Sequence, residues 1–166
     1  MAQSTLIGPR DGEEVQMGGA GARFMLDGEA TGGGFSMVEH PLEPRALGPP
    51  LHRHKNEDEY SYVTEGQVGV KLGEQIVIGR PGDLIVKPRG QWHTFWNAGD
   101  TPARLLEIIS PPGFERYFAE LSEILAGGAP PDEQRMGELL ARYELEMDMG
   151  SVPALCEEHG LRFGPD

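Results

Sequence analysis

Two histidines one residue apart have the clearest chemical use in this sequence. His52 and His54 lie in the stretch LHRHKNEDEYSYVTEG, which continues with the acidic residues Glu57, Asp58 and Glu59. Alternate residues of an extended strand point to the same face, so a strand here would aim both imidazoles at one point. Imidazole nitrogens and a carboxylate oxygen suit a divalent metal such as iron, manganese, nickel, copper or zinc. The pair alone is weak evidence, because an arbitrary His-x-His sequence is more often exposed than bound to a metal.

A wider spacing pattern strengthens the prediction of a metal site. Four residues separate His54 from Glu59, and six separate Glu59 from Gly66. A second pattern, G-x5-P-x-G-x2-H-x3-N, is formed by Gly82, Pro88, Gly90, His93 and Asn97. Given the composition of this chain, its five fixed positions would match by chance in on the order of one in ten thousand such sequences. Coincidence therefore does not explain the two patterns.

The two patterns resemble the sequence motifs of the cupin superfamily, H-x-H-x4-E-x6-G and G-x5-P-x-G-x2-H-x3-N. The resemblance implies a small jelly-roll β-barrel whose mouth holds one divalent transition metal per chain. It carries four metal ligands over to this chain, namely His52, His54, Glu59 and His93. Three nitrogens and one carboxylate leave open positions on a six-coordinate ion, as metal catalysis requires. The resemblance also allows Glu59 to be a catalytic residue that accepts a proton from the substrate.

Other polar residues near the motifs are interpreted as structural. The spacing to Gly66 selects Glu59 as the acidic ligand, so we expect Glu57 and Asp58 in a solvated hairpin turn. His40 follows an apolar segment and precedes a proline, and it is interpreted as a structural or exposed residue instead of a fifth ligand.

Strand alternation predicts part of a pocket wall. Ser61 and Val63 share the parity of Glu59, and Phe95 shares that of His93, so these three side chains should face the interior. Trp92 and Trp96 alternate with His93 and Phe95, so they should point to the opposite face of the strand, in ordinary packing or at an oligomer surface.

Short apolar segments separated by turn residues predict an all-β, mainly β domain. They run from about Ala22 to Ser110 at a spacing typical of a sandwich or barrel. Helical periodicity follows, in one helix that ends at Gly127-Gly128 and a second that begins after Asp132 and runs through EQRMGELLARYELEM. A third helix is expected from Ser151 to Gly160.

These elements divide the chain into three parts. We predict an N-terminal arm over residues 1–21, a cupin jelly-roll β-barrel over residues 22–112 and C-terminal α-helices over residues 113–166. The helical extension is expected to pack on the barrel or on a partner subunit.

An acidic composition limits the partners. The chain has 14 Lys plus Arg against 27 Asp plus Glu, and its formal net charge of −13 repels nucleic-acid phosphates and anionic lipids. We therefore expect a small-molecule substrate, no nucleic acid and no membrane. A single cysteine and the lack of a signal-like N-terminus predict a cytoplasmic protein. The cupin resemblance implies a homodimer.

Three functions fit these predictions. The resemblance to quercetinase-like cupins implies a dioxygenase-type oxidoreductase acting on a small aromatic, flavonol-like or enol substrate. The second function is a metal-dependent isomerase or lyase acting on a small sugar or keto acid, which would need a cation near the metal. The lysines fall in turn-like or strand-end positions, so the remaining candidate cations are Arg23, Arg45, Arg53 and Arg104. The third function is non-enzymatic metal or ligand binding.

Overall fold

Two antiparallel β-sheets and three helices make up the fold. The computed structural model describes residues 5–127 and 130–164. The strands within these ranges are β1 (Glu14–Met17), β2 (Ala20–Leu26), β3 (Ser36–Leu42), β4 (Leu51–His54), β5 (Asp58–Glu65), β6 (Val68–Leu72), β7 (Gln75–Gly79), β8 (Leu84–Lys87), β9 (His93–Asn97), β10 (Ala103–Ser110) and β11 (Leu145–Asp148). The helices are α1 (Glu115–Ala126), α2 (Glu133–Arg142) and α3 (Ser151–His159).

The strands are arranged in two sheets. One sheet has the order β1-β2-β3-β10-β5-β8, and the other has the order β11-β4-β9-β6-β7. In β3 and β10 every second side chain is buried, which is the pattern of a sheet with one face on the core. The inner faces of the two sheets therefore enclose the core, which confirms the mainly β class with C-terminal helices.

The helices close one side of this core. Apolar side chains of α1 and α2 pack with inner residues of the first sheet in one hydrophobic cluster, which includes Val38, Ile109, Phe114, Tyr117 and Leu139. α1 lies against β1, β3 and α2. No helix in the described ranges combines the length and the apolar character needed to cross a bilayer.

The helix boundaries follow the predicted capping residues. The side chain of Asp132 accepts a hydrogen bond from the backbone N–H of Arg135 at 2.9 Å, as an N-cap does. Gly127 follows the last residue of α1, while Gly128 lies outside the described residues. Gly160 ends α3 in the left-handed conformation, with a φ of 63°.

The segment after α2 corrects the sequence prediction. The second helix was expected to continue to Met147, but α2 ends at Arg142 and Leu145–Asp148 form β11. Glu144, at a φ of 47°, has left the right-handed helical region and turns the chain. β11 then pairs antiparallel with β4, so that Met147 lies opposite His52 and Leu145 lies opposite His54.

Two strands lie outside residues 22–112, the range predicted for the barrel. β1 falls in the predicted N-terminal arm and pairs with β2, and β11 falls in the predicted helical extension and pairs with β4. Each sheet therefore gains an outer strand from a segment that was not expected to contribute to it.

Motif residues that are not ligands fix the loops around the barrel. Gly66 has a φ of 72°, and a Cβ atom there would lie 2.7 Å from the carbonyl oxygen of Pro102. Gly90, at a φ of 79°, donates its N–H to the carbonyl oxygen of His54 at 2.7 Å. The side-chain amide of Asn97 donates to the carbonyl oxygens of Leu42, Glu43 and Thr101. The Gly90 bond ties the turn after β8 to the strand that carries the histidine pair, and the Asn97 bonds tie the end of β9 to the end of β3 and to the loop before β10.

Candidate metal centre

Three strands bring the four predicted ligands together. His52 and His54 lie on β4, Glu59 lies on β5 and His93 lies on β9. Each residue offers one ligand atom, and these atoms all lie within 4.8 Å of one another. All four residues are at most 5% exposed. His52 and His93 are direct partners across β4 and β9. This pairing brings His93 to the site, although it lies 39 residues after His54 in the sequence.

Backbone carbonyls orient two of the imidazoles. Nδ1 of His52 donates to the carbonyl oxygen of Pro50 at 2.9 Å, and Nδ1 of His93 donates to that of Gln91 at 2.9 Å. With the proton on Nδ1, the lone pair of each ring is on Nε2, the nitrogen free to bind a metal. The two ring centroids are 4.3 Å apart.

An acid that was wrongly expected in a solvated turn lies beside His54. The carboxylate of Glu57 lies 3.5 Å from Nδ1 of His54, and its side chain is only 12% exposed, because the turn after β4 folds it back against the ring. Nε2 of His54 is 3.4 Å from Oε1 of Glu59. Burial lowers the pKa of His54, but the Glu59 and Glu57 carboxylates outweigh it and hold that pKa above its ordinary value. Asp58, by contrast, forms an ion pair with Arg89 at 2.8 Å.

Lys87 is a site residue that the sequence analysis missed. It was assigned to an outer strand-end position, but its Nζ lies 2.9 Å from Oε2 of Glu59 and 2.8 Å from Oε2 of Glu107. Ser61 donates its hydroxyl to the same Glu107 oxygen at 2.9 Å. Burial alone would raise the pKa of Glu59, but the positive charges of His54 and Lys87 hold it well below its ordinary value.

Glu107 belongs to the same buried network. Burial raises the pKa of its carboxyl group to about 7, although the Lys87 ammonium opposes that shift. In β10 the buried residues alternate as Ala103, Leu105, Glu107 and Ile109. A charged residue at an inward position of an alternating strand is the sequence feature that could have identified Glu107 as part of the site. Lys87 has the same feature, because it shares the inward face of β8 with Ile85.

The cluster has the chemistry of a transition-metal site. Within residues 5–127 and 130–164, both ring nitrogens of His54 are buried and have no hydrogen-bond partner. Buried polar atoms are normally paired, and an ion among the four ligand atoms would satisfy one of these nitrogens. Lys87 and His93 contact Oε2 of Glu59, which leaves Oε1 as the oxygen available to an ion. The cluster can therefore hold a metal.

A cavity of about 170 Å³ adjoins the cluster. His52, His54 and Glu59 line it, and most of its remaining wall is apolar. Of the residues predicted for the pocket wall, Phe95 lines the cavity. Ser61 and Val63 face the barrel interior but do not line it, because Ser61 binds Glu107 and Val63 packs in the core beside Phe95.

The C-terminal segment supplies much of this apolar wall. Its contributions come from α1, α2, β11 and the residues around them, and they include Phe114, Tyr117, Phe118, Leu121, Met136, Leu145 and Met147. The ring of Phe114 meets the ring of His54 edge to face at 4.3 Å between centroids. The helical extension therefore forms one wall of the candidate site.

The remaining aromatic and histidine residues have separate places. Trp96 is buried and stacks on His159 of α3 at 4.4 Å between centroids, while Trp92 lies 5.0 Å from the guanidinium of Arg53. His40 is buried and lines the cavity, and its Nδ1 lies 2.8 Å from the carbonyl oxygen of Gly21.

Known proteins share this fold and these motifs. Residues 39–109 match the family model described as cupin domain. The chain is 32% identical over 87 residues to the probable oxidoreductase virH of Hypocrea virens, covering 50% of this chain and 40% of that protein. It is also 32% identical over 94 residues to the tetracenomycin polyketide synthase protein TcmJ of Streptomyces glaucescens, covering 56% of this chain and 62% of that protein. The chain thus spans less than two thirds of the length of either relative.

A solved structure supports the same assignment. The chain resembles a cupin-superfamily sugar phosphate isomerase from Silicibacter pomeroyi, with a TM-score of 0.56, 26% identity, and coverage of 63% of this chain and 74% of that chain. The motif residues, the two-sheet barrel and the domain match agree. The chain therefore contains a cupin domain, matched over residues 39–109.

Proposed function

We propose that this cupin is a metal-dependent dioxygenase-type oxidoreductase that acts on a small aromatic, flavonol-like or enol substrate. The observation that carries the proposal is a three-histidine, one-glutamate cluster that opens on an apolar cavity. No lysine or arginine lines this cavity in the part of the chain that the structure describes. An uncharged, flat and largely apolar molecule suits such a wall. The oxidoreductase name of the Hypocrea virens relative supports the same reaction class.

The chain's own residues have defined roles in this proposal. A bound transition metal would supply Lewis-acid and redox chemistry. His52, His54 and His93 would hold the ion through ring nitrogens, and His54 would release its proton when the ion binds. Glu59 would contribute Oε1 to the ion. Because Lys87 and His93 hold its other oxygen, Oε1 is also the atom that would accept the proton of an enol or phenol hydroxyl. Phe95 and Phe114 restrict the access of water to the cluster.

The second candidate is a metal-dependent isomerase or lyase acting on a small sugar or keto acid. The observation in its favour is the similarity to a solved sugar phosphate isomerase. The candidate cations, however, bind acids away from the cavity: Arg23 and Arg104 contact Glu39, Arg45 contacts Asp100, and Arg53 contacts Glu146. Lys87 is held by Glu59 and Glu107 and does not line the cavity. An anionic substrate would therefore meet no lysine or arginine in the described part of the cavity wall, and we rank this function second. Non-enzymatic metal or ligand binding is the third candidate.

Oxygen uptake is the direct test. The purified protein would be reconstituted separately with iron, manganese, nickel, copper and zinc, and each form would be tested with flavonols, catechols and β-diketones. We expect at least one redox-active form to consume O2 in the presence of a panel member, and Glu59→Gln to abolish this uptake. Glu158→Gln, which changes an exposed acid on α3, is the matched control.

The alternatives give different results in the same assay. If no form consumes O2 with any panel member, the dioxygenase proposal is wrong. Conversion of a sugar phosphate or keto acid without O2 would favour the isomerase or lyase function. Metal binding without turnover in either panel would favour the non-enzymatic one.

We also propose a homodimer that buries the outer face of the six-stranded sheet. Outward residues of β5 and β8 pair as Tyr60 with Val86 and Tyr62 with Leu84. Tyr62, Leu84 and Val86 are 42%, 57% and 49% exposed. The neighbouring strand β10 adds Leu106 opposite Tyr62. A contiguous apolar patch of this kind is typical of an interface, and a second copy of the chain can match it by two-fold symmetry.

A further inference from the structure

His40 is a buried histidine that the proposed chemistry leaves unused. It lies on β3, is 2% exposed and lines the same cavity as the metal cluster. Two aromatic rings hold its imidazole in place. The ring of Phe95 lies 5.8 Å away between centroids, and the ring of Phe118, from α1, meets it edge to face at 4.9 Å. The position of this ring is therefore fixed by both the barrel and the helical wall.

Hydrogen bonding fixes the tautomer of His40. Its Nδ1 lies 2.8 Å from the carbonyl oxygen of Gly21, which can only accept, so Nδ1 carries the proton and Nε2 carries the lone pair. No residue in the ranges 5–127 and 130–164 donates a hydrogen bond to Nε2. Nε2 is not fully enclosed, and His40 lines the cavity, so this acceptor is available to a donor on a bound molecule.

The imidazole is neutral at neutral pH. Burial lowers the pKa of His40 to about 4, and the positive charge of Lys87 lowers it further. The hydrogen bond to Gly21 and the negative charges of Glu59 and Glu39 raise this pKa but do not outweigh burial. Nε2 therefore remains an acceptor and does not become a donor in the working range of most enzymes.

We infer that Nε2 of His40 accepts a hydrogen bond from an O–H group of the substrate, separate from the oxygen that is held at the metal cluster. This inference rests on the proposed aromatic or enol substrate and narrows it to molecules with a second hydroxyl. His40 is then a specificity-determining residue. A substrate without this hydroxyl leaves Nε2 unpaired in an apolar wall, and a site built to hydrogen-bond a hydroxyl discriminates against the analogue that lacks it.

Binding to zinc-loaded protein tests the inference without turnover, because zinc has no redox chemistry. The probes are 3-hydroxyflavone, which offers the enol oxygen alone, and its derivatives with one added hydroxyl at position 5, 7, 3′ or 4′. We expect at least one derivative to bind about 2- to 10-fold tighter than 3-hydroxyflavone, as one net hydrogen bond would produce. The same derivative should move the ¹⁵N resonance of His40 Nε2 upfield in histidine-labelled wild-type protein, whereas 3-hydroxyflavone should not.

Two variants of His40 separate the effect of losing the Nε2 acceptor from the effect of changing the packing at this position. His40→Asn retains an amide N–H for Gly21 but is too short to place an acceptor at the Nε2 position, and His40→Gln places an amide oxygen near that position. We expect His40→Asn to lose the preference for the added hydroxyl, measured as the ratio of the affinities for the derivative and for 3-hydroxyflavone in the same variant. We expect His40→Gln to keep part of the preference. If His40→Asn does not fold, the Nε2 resonance of the wild-type protein decides the question.

The contrary results distinguish this inference from the proposed function. If His40→Asn keeps the preference, or if the Nε2 resonance stays in place when the preferred derivative binds, the role of His40 is wrong. Oxygen uptake by the metal-loaded enzyme would then still support the dioxygenase proposal. If none of the flavonols binds the wild-type protein, both the role of His40 and a flavonol-like substrate are wrong.

Discussion

His93 links the two halves of the candidate metal centre. It is the ligand supplied by β9, and its Nε2 lies 3.1 Å from Oε2 of Glu59 on the opposite sheet. Its position also depends on β4, because His93 and His52 face each other across the two strands. Removal of this side chain should therefore affect the ion more directly than the fold.

Metal content tests this role. The wild-type protein should contain about one transition-metal ion per chain, and His93→Ala should lower the content several-fold, because the remaining donors leave the ion under-coordinated. Elemental analysis of the purified proteins provides the measurement. His159→Ala, which removes a histidine on α3, should retain the metal. Full retention in His93→Ala would contradict the four-ligand site.

His40 should make the stability of the fold depend on pH. Its pKa falls from the ordinary 6.5 to about 4 on folding, so the unfolded chain binds the proton more tightly between these values. The stabilisation is complete above about pH 6.5 and is lost as the pH falls towards 4, by about 3 kcal/mol in all.

Urea unfolding of the wild type and of His40→Gln between pH 7.5 and 4.5 would measure this effect. Glutamine does not titrate, so the free energy of unfolding of the wild type should fall more steeply with acid than that of the variant. Both proteins should share the remaining acid sensitivity, including that from His52, whose pKa burial also lowers. Parallel curves would show that His40 does not titrate as described.

The ligands could be predicted from the sequence, but the ion pair between Lys87 and Glu107 behind them could not. Motif spacing selects His52, His54, Glu59 and His93 without knowledge of the fold. Lys87, in contrast, is a residue type that is rarely buried unless it is paired. Its partner Glu107 is 20 residues away and meets it only because β5 lies between β8 and β10. No local pattern reveals that pairing.

At the level of elements, α2 depends on the residue that caps its N-terminus. The side chain of Asp132 accepts a hydrogen bond from the N–H of Arg135, and Leu139 of the same helix is buried in the core cluster. α2 also supplies Met136 to the cavity wall. Loss of the cap should therefore weaken both the helix and the wall that it forms.

Substitution of the cap tests this coupling. Asp132→Ala should reduce the free energy of unfolding by about 1 kcal/mol, because an orphan N–H in the first turn loses its acceptor. Asp132→Ser, which restores an acceptor at the N-cap, should recover most of the loss. Urea denaturation followed by circular dichroism would measure both variants. An equal loss in the two variants would show that the cap is not the cause.

Most strands and helices could be predicted from periodicity, and β11 shows where that approach fails. The residues Met136, Leu139, Leu140 and Tyr143 continue towards Leu145 and Met147 with a spacing that suits a helix. Alternation suits the last two equally well, since both face inward from a strand. The segment forms a strand and not a helix because the edge of β4 offers it backbone hydrogen-bond partners. Sequence periodicity carries no information about that edge.

At the level of the whole molecule, the outer face of the six-stranded sheet carries an exposed apolar patch around Tyr62, Leu84 and Val86 on an otherwise acidic chain. Leu84 lies at its edge and is well exposed, so an acidic side chain there would cost the isolated subunit little. In a symmetric dimer the same change would place two carboxylates in a buried interface.

Sedimentation velocity tests the dimer. The wild-type protein should sediment as a dimer, and Leu84→Asp should shift it to a monomer, with a dissociation constant raised at least about tenfold. Leu6→Asp, a change at another exposed leucine, should leave the dimer intact. A wild-type monomer at all accessible concentrations would rule out the proposed interface.

The pairing of β11 with β4 also bears on the biosynthesis of the protein. A nascent chain that has emerged as far as Ser110 already contains every predicted ligand and every strand of the barrel except β11. In that chain the outer edge of β4, which carries two of the ligands, still has no partner strand. The histidine strand is completed only after a further 38 residues, up to Asp148, have been synthesised. Acquisition of the ion is therefore expected to follow the synthesis of β11 and not to accompany synthesis of the preceding strands.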